Sequence, residues 1–320
     1  MALTSTSVGK GIVLSLVSLA LLGAMPIISN LRSPEVGALS FAFALSVWQV
    51  VFALPVFWFE LKTGTRGILG LNLSQKERRR MILMGLFTGV LFGLSTYLYV
   101  LSVEKAGATN AAIAIQAYPL FAILWERVFF KRQKSLLELI LTGILIGSLY
   151  YLGTGGTFQM AGLSFWFLVS LGVPLLWSIA HVIIKEELSR TAITPVQVTF
   201  FRVAISTAFL CVVVIIAEPS KIMNAVDVIL HPISAVMGFV YFLELIVWFY
   251  AVRHIDVSLA SSITTPWPGL TMVLAVIFLH DTIEIYQIVA LLIVVLSIYG
   301  LTLASLRQAK AAPKKSELTH

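Results

Sequence analysis

Glu244 stands inside an otherwise apolar run, Tyr241-Phe242-Leu243-Glu244-Leu245-Ile246-Val247-Trp248. On a helix, the residues three before and four after it share its face, so Tyr241 and Trp248 flank the carboxylate. A carboxylate between two aromatic rings suits an ammonium group, through charge attraction and a cation–π contact worth about 0.5–2 kcal/mol. A carboxyl group held there can also take up and release a proton, so Glu244 is the candidate for coupling ligand movement to a proton gradient. The plainer reading makes Glu244 a structural carboxyl, protonated or hydrogen-bonded to a neighbouring helix, with the two rings as packing. Arg202 is the other charge within an apolar run. Its guanidinium suits a carboxylate in bidentate geometry, and together with Glu244 it would suit a zwitterion such as an amino acid. Its place about two turns from the end of its segment favours a plainer role, snorkelling to the membrane edge or bonding exposed helix carbonyls.

Pro119 and the Pro266-Trp267-Pro268 pair also fall inside apolar segments, where a proline removes a helical hydrogen bond and frees a carbonyl. They are candidate hinges. Beside them, Gln116, Tyr118, Thr265 and Trp267 are candidate ligand contacts, and Asn110, Ser258, Ser261, Ser262 and Thr264 add neutral hydrogen-bonding groups. Small hydroxyl residues serve close helix packing equally well. His181, beside Trp177 and Lys185, reads as a buried hydrogen-bonded imidazole rather than a proton relay. Glu126, Arg127 and Glu138 sit near segment ends, where pairing or snorkelling accounts for them.

These residues need a frame of apolar helices, and composition supplies one. With 59% hydrophobic residues, 12% charged residues and a mean hydropathy of +0.97, a 320-residue chain cannot bury its apolar side chains in a water-soluble core. Lipid is the expected solvent, and the expected fold is an all-α integral membrane protein. Hydropathy and turn residues place ten transmembrane helices at about 11–29, 38–59, 81–103, 108–130, 136–152, 163–185, 195–217, 232–251, 257–280 and 284–306. The first of these resembles a cleavable secretory signal, but it has a counterpart in the second half and is read as a retained helix. The basic residues alternate with the spans. Lys10, Lys62, the Lys76 to Arg80 cluster and Lys131 to Lys134 fall on one face, and only Arg32, Lys105 and Lys221 on the other. That bias puts both termini in the cytoplasm.

The +7 net charge does not point to nucleic acid, because the basic residues lie between spans instead of forming one face of a soluble module. The single cysteine, Cys211, lies in an apolar run and excludes a disulfide or thiolate cluster within one chain. There is no Walker loop, no zinc-protease helix motif and no nucleophile elbow. Gly153-Thr154-Gly155-Gly156 lacks the lysine and the strand-to-helix setting of a phosphate loop. No metal and no cofactor are expected.

A shift of 149 positions lays Leu14, Ser15, Leu19 and Gly23 on Leu163, Ser164, Leu168 and Gly172. The same shift takes Ala111 to Ala260, Tyr118 to Trp267, Pro119 to Pro268 and Tyr150 to Tyr299. It also carries Tyr241, Glu244 and Trp248 back to Phe92, Ser95 and Tyr99, so two aromatic faces could close on one ligand with only one of them charged. The chain thus divides into 1–153 (helices one to five), an inverted second repeat 154–306 (helices six to ten) and a basic cytoplasmic tail 307–320. Five crossings per half is an odd number, so the second repeat enters from the opposite side. Inverted repeats of this kind build carriers, with the binding site where the halves meet.

The segment Phe278-Leu279-His280-Asp281-Thr282-Ile283-Glu284, followed by Gln287 and an aliphatic helix, resembles the end of an EamA-type repeat of the drug/metabolite transporter superfamily. His280-Asp281 stands where that family carries a glycine-glutamate turn. Ala111-Ala112 through Tyr118-Pro119 resembles the family's fourth helix, and Phe201-Arg202 its arginine-bearing second helix. The first half departs from the pattern, with Gln49 in the arginine's place and Phe129-Phe130-Lys131-Arg132 at the turn. The resemblance implies ten helices around a central cavity bordered by the first, third, fourth, sixth, eighth and ninth, working by alternating access. It further implies a secondary carrier in a bacterial inner membrane, as monomer or homodimer, exporting small polar metabolites such as amino acids or related amines. An uptake carrier for organic or quaternary ammonium cations is the nearest alternative. An enzyme acting on a lipid-linked substrate is remote, since it needs acidic or histidine side chains clustered at one membrane face, and the 15 acidic residues are scattered.

Overall fold

The computed structural model describes residues 5–64, 67–70, 74–121, 124–125, 135–220, 225–255 and 257–311. Among them there are helices and turns but no strand, and nine helices are long and apolar enough to cross a membrane. In chain order the helices that build the fold are α1 (Ser5–Asn30), α2 (Ala38–Lys62), α3 (Gln75–Ala106), the short α4 (Ala108–Ile115), α5 (Leu136–Gly153), α6 (Phe165–Arg190), α7 (Pro195–Ala217), α8 (Pro232–His254), the half-helices α9a (Val257–Thr264) and α9b (Trp267–Leu274), and α10 (Ile285–Ala311). The fourth crossing starts with α4 and resumes at Tyr118. Its later part, with Glu126, Arg127 and Phe129-Phe130-Lys131-Arg132, lies outside the described residues, as does the tail from 312.

Several helices outrun their apolar segments, because hydropathy marks the bilayer while caps mark the helix. A capping box starts α3 at Gln75, where the Ser74 hydroxyl accepts from the Glu77 amide and Glu77 reaches back to the Ser74 amide. The Lys76 to Arg80 cluster therefore belongs to the first turns of that helix. Ser135 and Glu138 form the same box at the head of α5. At the other end of the chain, α10 continues through Ala311, so the first five residues assigned to the tail are helical. Gln308, Ala309, Lys310 and Ala311 are good helix formers with no proline among them.

The packing follows the repeat. α1 lies along α8, and their counterparts α6 and α3 lie along each other; α2 meets α7 and α5 meets α10. α3 also packs on α7 as α8 packs on α2. Gly89 and Gly238, equivalent under the 149 shift, permit those last two approaches. A Cβ on Gly89 would stand 2.4 Å from Ile205 of α7, and one on Gly238 would stand 2.4 Å from Trp48 Cβ of α2.

The three prolines named as candidate hinges, Pro119, Pro266 and Pro268, sit where their crossings break into two half-helices. The fourth crossing breaks at Gln116-Ala117 and the ninth at Thr265-Pro266, positions related by the same shift. Pro119 and Pro268 each sit at the second residue of the segment that follows, where a missing amide hydrogen costs nothing. The ninth crossing ends in a wide turn, Ala275–Leu279, closed by His280 in the left-handed conformation, φ 55° and ψ 29°. That is the backbone position glycine favours, which explains the glycine of the resembling pattern.

At the end of the molecule away from the Lys76 to Arg80 cluster, Arg32 ties three helices together. It pairs with Glu104 of α3, donates to Ser29 O and Val36 O, and lies over the Phe41 ring of α2. Burial lowers the pKa of this guanidinium, and the Glu104 carboxylate opposes that shift.

Candidate functional site

Four helices converge on Glu244. α8 brings Tyr241 and Glu244, and α1 brings Ser18, whose hydroxyl donates to Glu244 Oε1 at 2.9 Å. α3 brings Tyr99, with its ring 6.3 Å from that of Tyr241. α7 brings Arg202, whose guanidinium carbon lies 3.5 Å from the centroid of the Phe92 ring, beside Tyr241 and within electrostatic reach of Glu244. Trp267, at the head of α9b, belongs to the same apolar core as Met25, Tyr99 and Tyr241. Glu244 and Arg202 are 7% and 6% exposed, so Arg202 does not snorkel. Its distance from the helix end permitted that reading, but its face of α7 turns inward to α3, and cation–π contact with Phe92 holds it there.

The charges are close without touching. Ion pairs among the described residues join Arg32 and Lys105 to Glu104 and Arg80 to Glu187, and none joins Arg202 to Glu244. Arg202 Nη1, Tyr99 Oη and Tyr241 Oη are all shut away from solvent without a well-formed hydrogen bond, although the Tyr241 hydroxyl lies beside the Arg202 guanidinium and Thr96. A buried polar group left in that state costs about 1–3 kcal/mol, a cost that a polar ligand making the missing bonds offsets. One carboxyl, one guanidinium and two phenol hydroxyls thus lie together in the protein interior.

The remaining expected residues are distributed around this cluster. Ser95, the counterpart of Glu244, accepts a hydrogen bond from Trp177 Nε1 at 3.0 Å, so it joins α3 to α6 much as Ser18 and Glu244 join α1 to α8. Trp248 is half-buried and packs on the layer of Phe92, Ala180, Ile184, Val198 and Phe249. Tyr118 lies with its ring 5.8 Å from His181, which also meets Phe92 at 5.5 Å and Trp177 at 6.5 Å. His181, expected as a buried hydrogen-bonded imidazole, is half-buried at the centre of an aromatic group. Gln116 and Thr265 are buried and bonded to each other across the two broken crossings. Asn110 accepts from Gln287 Nε2 at 2.8 Å, tying α4 to α10. Sequence reasoning did not find Ser18, although Ser15 and Ser18, three apart and both 0% exposed, mark one face of α1.

A cavity of about 680 Å³ adjoins Arg202. It is walled by α3, α6, α7 and the turn 67–70, with Arg78 and Glu187 toward the end of the molecule and Arg202 and Thr88 deepest. Two of its walls, α3 and α6, are among the helices expected to border a central space, and α7 is not; α1, α3, α8 and α9b enclose the closed cluster around Glu244.

The whole-chain comparisons agree with this architecture. A solved crystal structure matches over 95% of this chain and 98% of its own, at a TM-score of 0.57 and 16% identity, a likeness of fold. No curated protein matches the sequence. The pattern of the EamA-like transporter family fits twice, at residues 9–154 and again at 164–303, each match spanning one five-helix repeat. On that double match, the chain belongs to the EamA-like transporter family.

Proposed function

We propose that this protein is a secondary active transporter that moves a small zwitterion, an amino acid or a closely related amine, by alternating access. Export from the cytoplasm across a bacterial inner membrane, with both termini and the Lys76 to Arg80 face cytoplasmic, is the direction we assign. The observation that carries the reading is the buried group of Glu244, Arg202, Tyr99 and Tyr241, in which opposite charges lie in one closed cluster without forming an ion pair. The amine is assigned to Glu244 and the carboxylate to Arg202. Proton uptake at Glu244 supplies the coupling. Arg202 beside the chamber weighs against the alternative, an organic cation carrier, since a fixed positive charge repels a ligand with no acid group.

Counterflow in sealed proteoliposomes tests this. Vesicles loaded with unlabelled amino acid should accumulate the labelled compound transiently, and the matched amine lacking the carboxylate should not compete. Equal competition by the bare amine would favour the cation carrier, and no counterflow by any amino acid or amine would remove the assignment.

A further inference from the structure

The cavity beside Arg202 has a character that a site for small polar solutes does not need. Its middle is aliphatic and aromatic, built from Met81 and Ile82 of α3, Ile183 and Ile184 of α6, and Phe201 and Ile205 of α7. Its outer end is charged. Arg78 lines it, and Arg80 pairs with Glu187 across α3 and α6 at 2.7 Å while remaining half exposed. Its inner end is Arg202, nine-tenths buried. A basic entrance, an apolar barrel and a guanidinium at the floor form a series with one matching ligand shape, an acid group that travels first and a hydrocarbon that follows.

We infer that this cavity is a binding site for monoanionic carboxylates bearing an apolar chain or ring, with the carboxylate on Arg202 and the apolar part between α3, α6 and α7. The volume of about 680 Å³ is that of a pocket for a medium-sized organic molecule. The exposed arginines of the α3 start raise the local concentration of an anion at the entrance. At the floor Arg202 supplies the positive charge that a carboxylate pairs with, and its stacking on Phe92 does not remove that charge. The proposal goes beyond the transport reading, whose ligand carries an amine for Glu244. It rests on that reading only for the claim that such a ligand is carried; occupancy of the cavity stands separately.

The test is equilibrium binding to the full chain in lipid nanodiscs, with flux measured separately. The probes are phenylacetate, 3-phenylpropionate, 4-phenylbutyrate and 6-phenylhexanoate, each beside the alcohol and amine of the same skeleton. The expected result is thermal stabilisation by the acids alone, with affinity rising up to about fourfold per added methylene as apolar surface is buried. Ile183→Trp, which adds bulk at a half-buried wall of the barrel and leaves Arg202 in place, should weaken the longest acid at least tenfold and change phenylacetate little. Arg202→Lys should weaken all four acids. Stabilisation by the alcohols equal to that by the acids would mark a slot for lipid tails and overturn the inference, as would unchanged binding of 6-phenylhexanoate in Ile183→Trp. Acid binding without flux would leave this site standing and defeat only its part in transport; flux of amino acids without acid binding would do the reverse.

Discussion

The side-chain amide of Gln116 donates to the backbone carbonyl of Thr265 at 2.9 Å, across a sequence separation of 149. That number is the repeat offset, so each residue is the counterpart of the other. A contact between counterparts lies at the axis relating the two halves. Both residues also mark the break in their own crossing, so the two interrupted helices touch where they are interrupted.

Thr265 O has no substitute donor, since the amide four residues on, Gly269, bonds to Pro266 O. Gln116→Ala should therefore cost about 1–3 kcal/mol, the range for stranding a buried acceptor. Gln116→Glu should cost more, because an ionised carboxylate would face the carbonyl with no hydrogen to give. Melting in nanodiscs reads both effects; a Gln116→Ala protein melting with the parent would mean the bond contributes nothing.

Much of this was legible in the sequence, and the parts that were not share a cause. The ten crossings and the 149 shift are patterns within one strip of chain, and residues such as Pro119 and Pro268 declare them directly. Helix ends were misplaced where a cap did the work, as Ser74 and Glu77 do for α3. Arg202 was misjudged because its distance from a helix end says nothing of which neighbour its face meets, and Phe92 belongs to another helix. Ser18 was missed because a serine in an apolar helix looks the same whether it bonds its own backbone, as Ser15 does to Gly11 O, or a carboxyl on α8.

His280 holds φ 55° on an exposed turn, where a Cβ costs roughly 1–2 kcal/mol. Glycine would relieve that cost and give back about 0.5–1 kcal/mol through its freer unfolded chain. His280→Gly should raise the melting temperature slightly, and His280→Val should lower it. A drop with glycine would show that the imidazole makes a contact worth more than the strain.

Four glycines in the spans should separate by what their added methyl meets. Gly143 and Gly147 have nothing within 4 Å, so alanine there should be neutral or gain up to about 1 kcal/mol of helix propensity. Gly238→Ala meets Trp48 Cβ at 2.4 Å and Leu45 O at 2.7 Å, atoms fixed to the α2 backbone, and should cause the largest loss. Gly89→Ala meets the side-chain carbons of Ile205, which can turn aside in part, and should fall between. Folded yield and melting temperature rank the four; equal behaviour at 238 and 143 would contradict the close α2–α8 approach.

Glu244→Gln isolates charge from shape at the centre of the site. The amide keeps an oxygen where Oε1 accepts from Ser18, so α1 and α8 should stay joined and melting should change by no more than about 1 kcal/mol. What the amide cannot do is bind and release a proton. Under the coupling proposed for this residue, exchange of labelled substrate without a gradient should persist at reduced affinity, while accumulation driven by a pH gradient should disappear. Glu244→Asp provides the complement, since it keeps the titrating group but draws it back by one methylene from Ser18, and it should retain gradient-driven uptake at a lower rate. Both variants are read in proteoliposomes with and without the imposed gradient. If Glu244→Gln accumulates substrate against the gradient as the parent does, the proton binds elsewhere, and Glu244 is left with the structural part that Ser18 already gives it.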